Sequence, residues 1–169
     1  TNPHPVLTNI SGFSNLNHVG GGLLIDRNNS LQDLNGLNNL SRIDGYLVIG
    51  TTFGWPPHGN PVLQNLDALN NLSYVGGGLT ICGNEELGKI YGLINLDTIY
   101  TSLYIEGNPS LASLSGLDNL TIVDDTWGIW IEFNERLSDC AVLGICNYLY
   151  NPSGDIIILN NAIGCNSPE

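Results

Sequence analysis

Basic residues are nearly missing from this chain: four Lys and Arg stand against sixteen Asp and Glu in 169 residues, for a net charge of −12. Without cations to displace counterions, condensation on nucleic acid or on anionic lipid is excluded. Charged residues of both signs amount to only 12%, so the acidity reflects missing bases rather than carboxylate blocks. No apolar run approaches the roughly 20 residues of a membrane-spanning helix, which argues against membrane insertion. A basic stretch leading into an apolar one is missing at Thr1, so a secretory signal is absent or already removed. Methionine is absent, C-x-x-C pairs are absent, and the three histidines, His4, His18 and His58, are scattered. That leaves neither a zinc-ligand spacing nor a Ser-His or Cys-His arrangement, and no cofactor is implied.

Glycine and aliphatic residues are what the chain has: 21 Gly and 42% hydrophobic residues, enough at this length for one domain with a real core. They fall in a repeat. Leu23, Ile25, Asn28, Leu31, Leu34, Gly36, Leu37, Leu40 and Ile43 recur as Leu79, Ile81, Asn84, Leu87, Ile90, Gly92, Leu93, Leu96 and Ile99. They recur again as Leu103, Ile105, Asn108, Leu111, Leu114, Gly116, Leu117, Leu120 and Val123, at a period of 24. A unit beginning at Leu47 and Ile49 carries eight extra residues around Trp55 and rejoins the pattern at Leu63, Leu66, Leu69, Leu72 and Val75. A fifth begins at Ile129 and Ile131, and Leu7 to Val19 match the second half of a unit.

A period in this range belongs to stacked-repeat architectures, whose single units cannot bury an apolar face alone. The Leu-x-Ile pairs read as short strands with two inward side chains, pairing in parallel from turn to turn. Gly and Asn in the Leu-x-x-Leu-x-Gly-Leu stretch, with spacings of three, favour tight coil turns over a helix. Asn28, Asn84, Asn108, Asn134 and Asn161 share one position, where stacked amides would bond leftover backbone groups. The glycine triplets at 20–22 and 76–78 lack the Lys and Ser/Thr of a phosphate loop and read as turns. The expectation is a mostly β fold, a right-handed parallel β-solenoid over residues 1–139. A C-terminal cap over 140–169 follows, with Val142, Ile145, Cys146 and Leu149 at helical spacing and a last strand at Ile156–Leu159. Thr1 falls inside a unit, so the chain is read as a fragment of a larger multidomain protein or as starting with an irregular cap.

The unit L-x-I-x-x-N-x-x-L-x-x-L-x-G-L-x-x-L-x-x-[IV]-x-G resembles the receptor L-domain-like leucine-rich repeats of bacterial surface proteins. These are shared distantly with the ligand-binding L domains of insulin- and growth-factor-type receptors. The resemblance covers roughly residues 7–140. The tail from Leu137-Ser138-Asp139-Cys140 to Gly164-Cys165-Asn166 looks like the terminal cap of such proteins from Bacteroidetes, often followed by a sorting domain for surface export. It implies a secreted or cell-surface location and a recognition or adhesion role, and it brings no catalytic residues.

Of the four cysteines, three crowd into the cap, where Cys165 is expected to bond Cys140 or Cys146 and close an end liable to fray. The cysteine left over is expected to be buried. Cys82, one residue past an inward Ile, is expected to point outward as an exposed thiol. An oxidising compartment is favoured. Five Asn-x-Ser/Thr sequons occur, at Asn9, Asn28, Asn39, Asn71 and Asn119; three of them are the repeat's own Asn-Leu-Ser/Thr turn.

If the Leu-x-Ile pairs point inward, the residues between them point out: Leu24, Val48, Thr80, Tyr104, Trp130 and Ile157. Tyr46 flanks this column on one side, and Asp26, Glu106 and Glu132 flank it on the other. An apolar, aromatic strip rimmed by carboxylates marks contact with a partner, either a polysaccharide or a cell-surface protein. The candidate ligand-binding residues are Leu24, Tyr46, Val48, Trp55, Tyr104, Glu106, Trp130 and Glu132, with Trp55 included because its loop leaves the strand beside the face. Asp26 and Glu132, about 19 Å apart over four turns, are too distant for paired-carboxylate catalysis, so no catalytic residue and no metal site are assigned. A structural spacer in a larger surface protein is the alternative, and an ice-binding solenoid is disfavoured because Thr80 is the only small hydroxylated residue in the column.

Overall fold

The computed structural model describes residues 6–51, 59–122, 127–152 and 154–166. The fold is mostly β, a parallel β-solenoid with turns of about 26 residues and one short C-terminal helix. Each turn contributes a two-residue strand to one sheet and a longer strand to another. The pairs are β1 (His18–Val19) with β2 (Leu23–Ile25), then β3 (Arg42–Ile43) with β4 (Leu47–Gly50). They continue with β5 (Tyr74–Val75) and β6 (Leu79–Cys82), β7 (Thr98–Ile99) and β8 (Ser102–Glu106), and β9 (Thr121–Ile122) and β10 (Gly128–Glu132). The helix α1 (Leu143–Tyr150) and a final strand β11 (Ile156–Leu159) complete the chain. The small sheet runs β1-β3-β5-β7-β9 and the large sheet β11-β10-β8-β6-β4-β2, parallel throughout.

The register reproduces the repeat. Leu23, Leu47, Leu79, Leu103, Ile129 and Ile156 are successive partners across the large sheet. The aliphatic positions between the sheets are sealed: Leu31, Leu34, Leu63, Leu66, Leu87, Ile90, Leu111 and Leu114 have no exposed surface, each buried side chain contributing about 1.5–3 kcal/mol. The coil segments are tight turns, with single 3-10 turns at Ser11–Phe13, Asp67–Leu69 and Tyr91–Leu93. The repeat glycine has a steric cause. A side chain at Gly36, Gly92 or Gly116 would strike the carbonyl of Ile10, Leu66 or Ile90 one turn earlier.

Two asparagine ladders hold the turns in register. In the first, Asn28, Asn60, Asn84, Asn108 and Asn134 each donate the backbone N–H to the side-chain oxygen of the next member, ending at Asn161, at 3.0–3.2 Å. From the second member on, each amide also donates to the carbonyl of an inward Ile of the preceding turn, as Asn108 does to Ile81 at 2.9 Å. Buried amides satisfied in this way avoid a desolvation cost of about 1–3 kcal/mol per group. In the second ladder, Asn39, Asn71, Asn95 and Asn119 donate to the carbonyls of Ser14, Asn38, Asn70 and Ile94. Three of these residues are the sequon asparagines of the repeat's own turn, so packing accounts for that motif.

Ile122 stands in register with Ile99; Val123, which the repeat alignment places there, lies outside the described residues. Of the cap positions expected to face inward, Val142 and Ile145 are buried, whereas Leu149 and Cys146 are exposed. The side of α1 that meets the solenoid carries Gly144, Ile145 and Tyr148.

Candidate functional site

The outward column of the large sheet forms as the alternation requires. Leu24, Val48, Thr80, Tyr104, Trp130 and Ile157 are register partners on successive rungs, about 4.8 Å apart. Leu24 is 56% exposed and the other five are half-buried. The column divides into two halves. Towards the first turn, Leu24, Val48 and Thr80 floor a groove of about 420 Å3 walled by Tyr46, Asp26, Arg27 and Thr51. The Tyr46 ring lies across Gly22, where a side chain would collide with it. Towards the cap, Tyr104 and Trp130 stack with ring centroids 5.0 Å apart and planes 15° from parallel. Glu106 and Glu132 are register partners immediately beside that stack. Trp55 lies outside the described residues, so its place relative to this face is not assigned.

The charges on this face are poorly compensated. Burial raises the Glu106 carboxyl above the usual carboxylate range, and the Glu132 charge adds to the effect. Burial raises Glu132 as well, and it raises the Tyr104 phenol, with further contributions from both glutamates. One oxygen of Asp26 is buried without a hydrogen-bond partner among the described residues, while the other lies 3.5 Å from Arg27. The small sheet shows the opposite arrangement. There Asp44 accepts hydrogen bonds from His18 at 2.8 Å and Arg42 at 2.6 Å, which hold its carboxyl below the usual range. The Arg42 guanidinium also lies 3.9 Å from the centre of the Tyr74 ring.

Both free cysteines depart from the sequence expectation. Cys82 is buried, not outward-facing and exposed, and burial pushes its thiol up to about 12, with the Glu106 charge adding to it. Strand alternation fails at this position because Cys82 ends β6 and abuts the Gly83–Asn84 corner. The chain returning from the insertion at Gly59 passes hard against the Cys82 and Gly83 carbonyls. In the cap, Cys165 bonds Cys140, their Cα atoms 5.5 Å apart. Cys146 is the residue left over, and it is exposed rather than buried because α1 turns its Gly144–Ile145 side inward.

Two features escaped the sequence reading. Asn60 belongs to the ladder, and its Asn60-x-x-Leu63 spacing, the same as Asn28-x-x-Leu31, was the available signal. The residue before every ladder Asn except Asn60 is left-handed: Arg27 at φ 55°, Gly83 at 67°, Gly107 at 64°, Phe133 at 55° and Asn160 at 56°. Arg27 and Phe133 therefore occupy a conformation that costs a side-chain-bearing residue roughly 1–2 kcal/mol, and both flank the face, next to Asp26 and Glu132. No group of three or more His, Cys, Asp and Glu gathers to hold a metal among the described residues, and none of their helices is long and apolar enough to cross a membrane. Comparison with family models, curated proteins and solved structures finds no match.

Proposed function

We propose that this chain is a non-enzymatic recognition module of the receptor L-domain-like leucine-rich repeat type, secreted or displayed at a cell surface, which binds a partner through the outward column of its large sheet. The observation that carries the reading is the alignment of Leu24, Val48, Tyr104 and Trp130 on one outer face. Solvated strand faces favour polar side chains. An apolar and aromatic strip of this kind, interrupted at Thr80, marks an interaction surface, and Tyr and Trp are the residues that concentrate binding energy. The Cys140–Cys165 disulfide supports an oxidising, extracellular setting.

The test is a screen of the chain against arrays of polysaccharides and of cell-surface proteins, run beside a Tyr104→Ala/Trp130→Ala variant. Loss of binding by tenfold or more in the variant, with an unchanged unfolding midpoint, is the expected result. A partner bound equally well by both chains would remove the face from the function, and the absence of any partner would favour a spacer.

A further inference from the structure

We propose that the cap-side half of this face docks a basic protein segment, with one arginine guanidinium bridging the Glu106 and Glu132 carboxylates and its apolar stem lying on the Tyr104–Trp130 stack. This rests on the recognition reading above and names the partner's chemistry. Three observations carry it.

The first is charge. The chain carries −12 with four basic residues, and none of the ion pairs among the described residues reaches Glu106 or Glu132. Two carboxylates on adjacent rungs, about 4.8 Å apart along the stacking direction, are a spacing that the planar, multi-donor guanidinium can bridge and a compact ammonium fits less well.

The second is the geometry of the rings. Tyr104 and Trp130 cover one face of each other, and their column neighbours are Thr80 and Ile157. Sugar recognition uses an open aromatic face, and half of that area is already taken here. An apolar side-chain stem needs only the contour of the stack.

The third is a precedent within the molecule. On the small sheet, carboxylate, guanidinium and aromatic ring are all present as Asp44, Arg42 and Tyr74. On the cap-side half of the large sheet the carboxylates and rings are present and no guanidinium pairs with them among the described residues, Arg27 lying at the other end of the face beside Asp26, as a surface awaiting a basic partner requires.

The experiment titrates the 15N-labelled chain with an acetylated, amidated tetra-arginine peptide, its tetra-lysine counterpart, cellohexaose and calcium chloride, following the amides of β8 and β10. The arginine peptide is expected to shift those amides and to bind several-fold tighter than the lysine peptide. Its affinity should fall at least tenfold in Glu106→Gln/Glu132→Gln and less than twofold in Glu85→Gln/Glu135→Gln, which removes the same charge elsewhere. Equal losses in the two variants, equal affinity for the two peptides, or calcium displacing the peptide from Glu106 and Glu132 would each overturn the inference. If cellohexaose shifts β8 and β10 and the arginine peptide does not, the face is a binding surface and only the guanidinium assignment fails. If no probe shifts the strip and the arrays also return nothing, the recognition reading fails with it.

Discussion

The first and last described turns of the solenoid are covered differently. At the C-terminal end, α1 lies against β9 and Cys165 is buried and bonded to Cys140. The asparagine ladder is stopped there by Asn166, whose side-chain oxygen accepts from the Asn161 N–H at 2.9 Å and whose amide donates to the Asn161 and Ala162 carbonyls. At the N-terminal end, no turn precedes Asn28 in the ladder among the described residues. Leu7, Phe13 and Leu24 are exposed, and a cavity of about 290 Å3 opens between Leu7, Ile10, Phe13, Leu16 and Leu23. In a stack where each rung is templated by its neighbours, stability is a sum of near-neighbour terms, so an end is worth what covers it. The same side chain therefore counts for more in the middle than at the open rung.

One residue type measures that difference. Asn108→Leu leaves the buried Asn84 N–H and Ile81 carbonyl unpaired, at about 1–3 kcal/mol each with the amide's remaining bonds in addition. We expect a loss of about 3–5 kcal/mol in urea unfolding. Asn28→Leu keeps its own N–H bond to Asn60 and forfeits one half-buried side-chain bond, for about 1 kcal/mol. Equal losses at the two positions would show that the ends are not distinct. The closed end can also be opened: Cys140→Ser/Cys165→Ser removes a link spanning 25 residues, worth about 3 kcal/mol in the chain-entropy view. Hydrogen exchange should then report β11 and α1 opening as readily as β2 does in the native chain.

A smaller pair acts in the stabilising direction. Arg27→Gly at the open end and Phe133→Gly near the closed end both relieve a left-handed backbone, worth about 1 kcal/mol. Arg27 is largely exposed and pairs only loosely with Asp26, so nearly all of its gain should survive. Phe133 covers more surface, so its gain should be partly offset. If the first turn frays before the rest unfolds, the Arg27→Gly gain appears as slower exchange in β2 with no change in the global midpoint.

The same distinction explains what the sequence could reveal. The core was legible because burial repeats: one inward Leu-x-Ile pair per rung leaves a period that survives the insertion before Gly59. The outward column followed from alternation, since residues between buried ones can only point away. Legibility failed where local geometry departs from the period. Cys82 is buried by a corner and by the returning insertion. Cys146 is exposed because one step along an eight-residue helix turns a side chain by about 100°. The left-handed position before the ladder asparagines other than Asn60 went unseen because Gly83 and Gly107 announce it, whereas Arg27 and Phe133 disguise it. The pairing of Cys165 with Cys140 rather than Cys146 depends on the orientation of α1, which apolar spacing alone left open.

Acid should act on the two ends in opposite directions, with the smallest effect. Near the open end, Asp44 is held below its ordinary value of 3.8 by His18 and Arg42. Its contribution is fully present above that value and is lost as pH falls through the lower native one. Near the closed end, Glu106 and Glu132 are raised above 4.5, so the native state holds their protons more tightly than the unfolded chain. Their contribution is complete below 4.5 and is lost as pH rises through the native values. Lowering the pH from about 7 towards 4.5 should therefore stabilise the cap-side turns while Asp44 stays ionised, and only below 3.8 should the contact between β1 and β3 weaken. Both sets are solvent-screened, so the shift in midpoint should be small. Glu106→Gln/Glu132→Gln should remove the gain between about pH 7 and 4.5 and raise the midpoint at neutral pH. A variant that kept the wild-type pH response would place the titrating groups elsewhere than the carboxylate pair beside Tyr104 and Trp130.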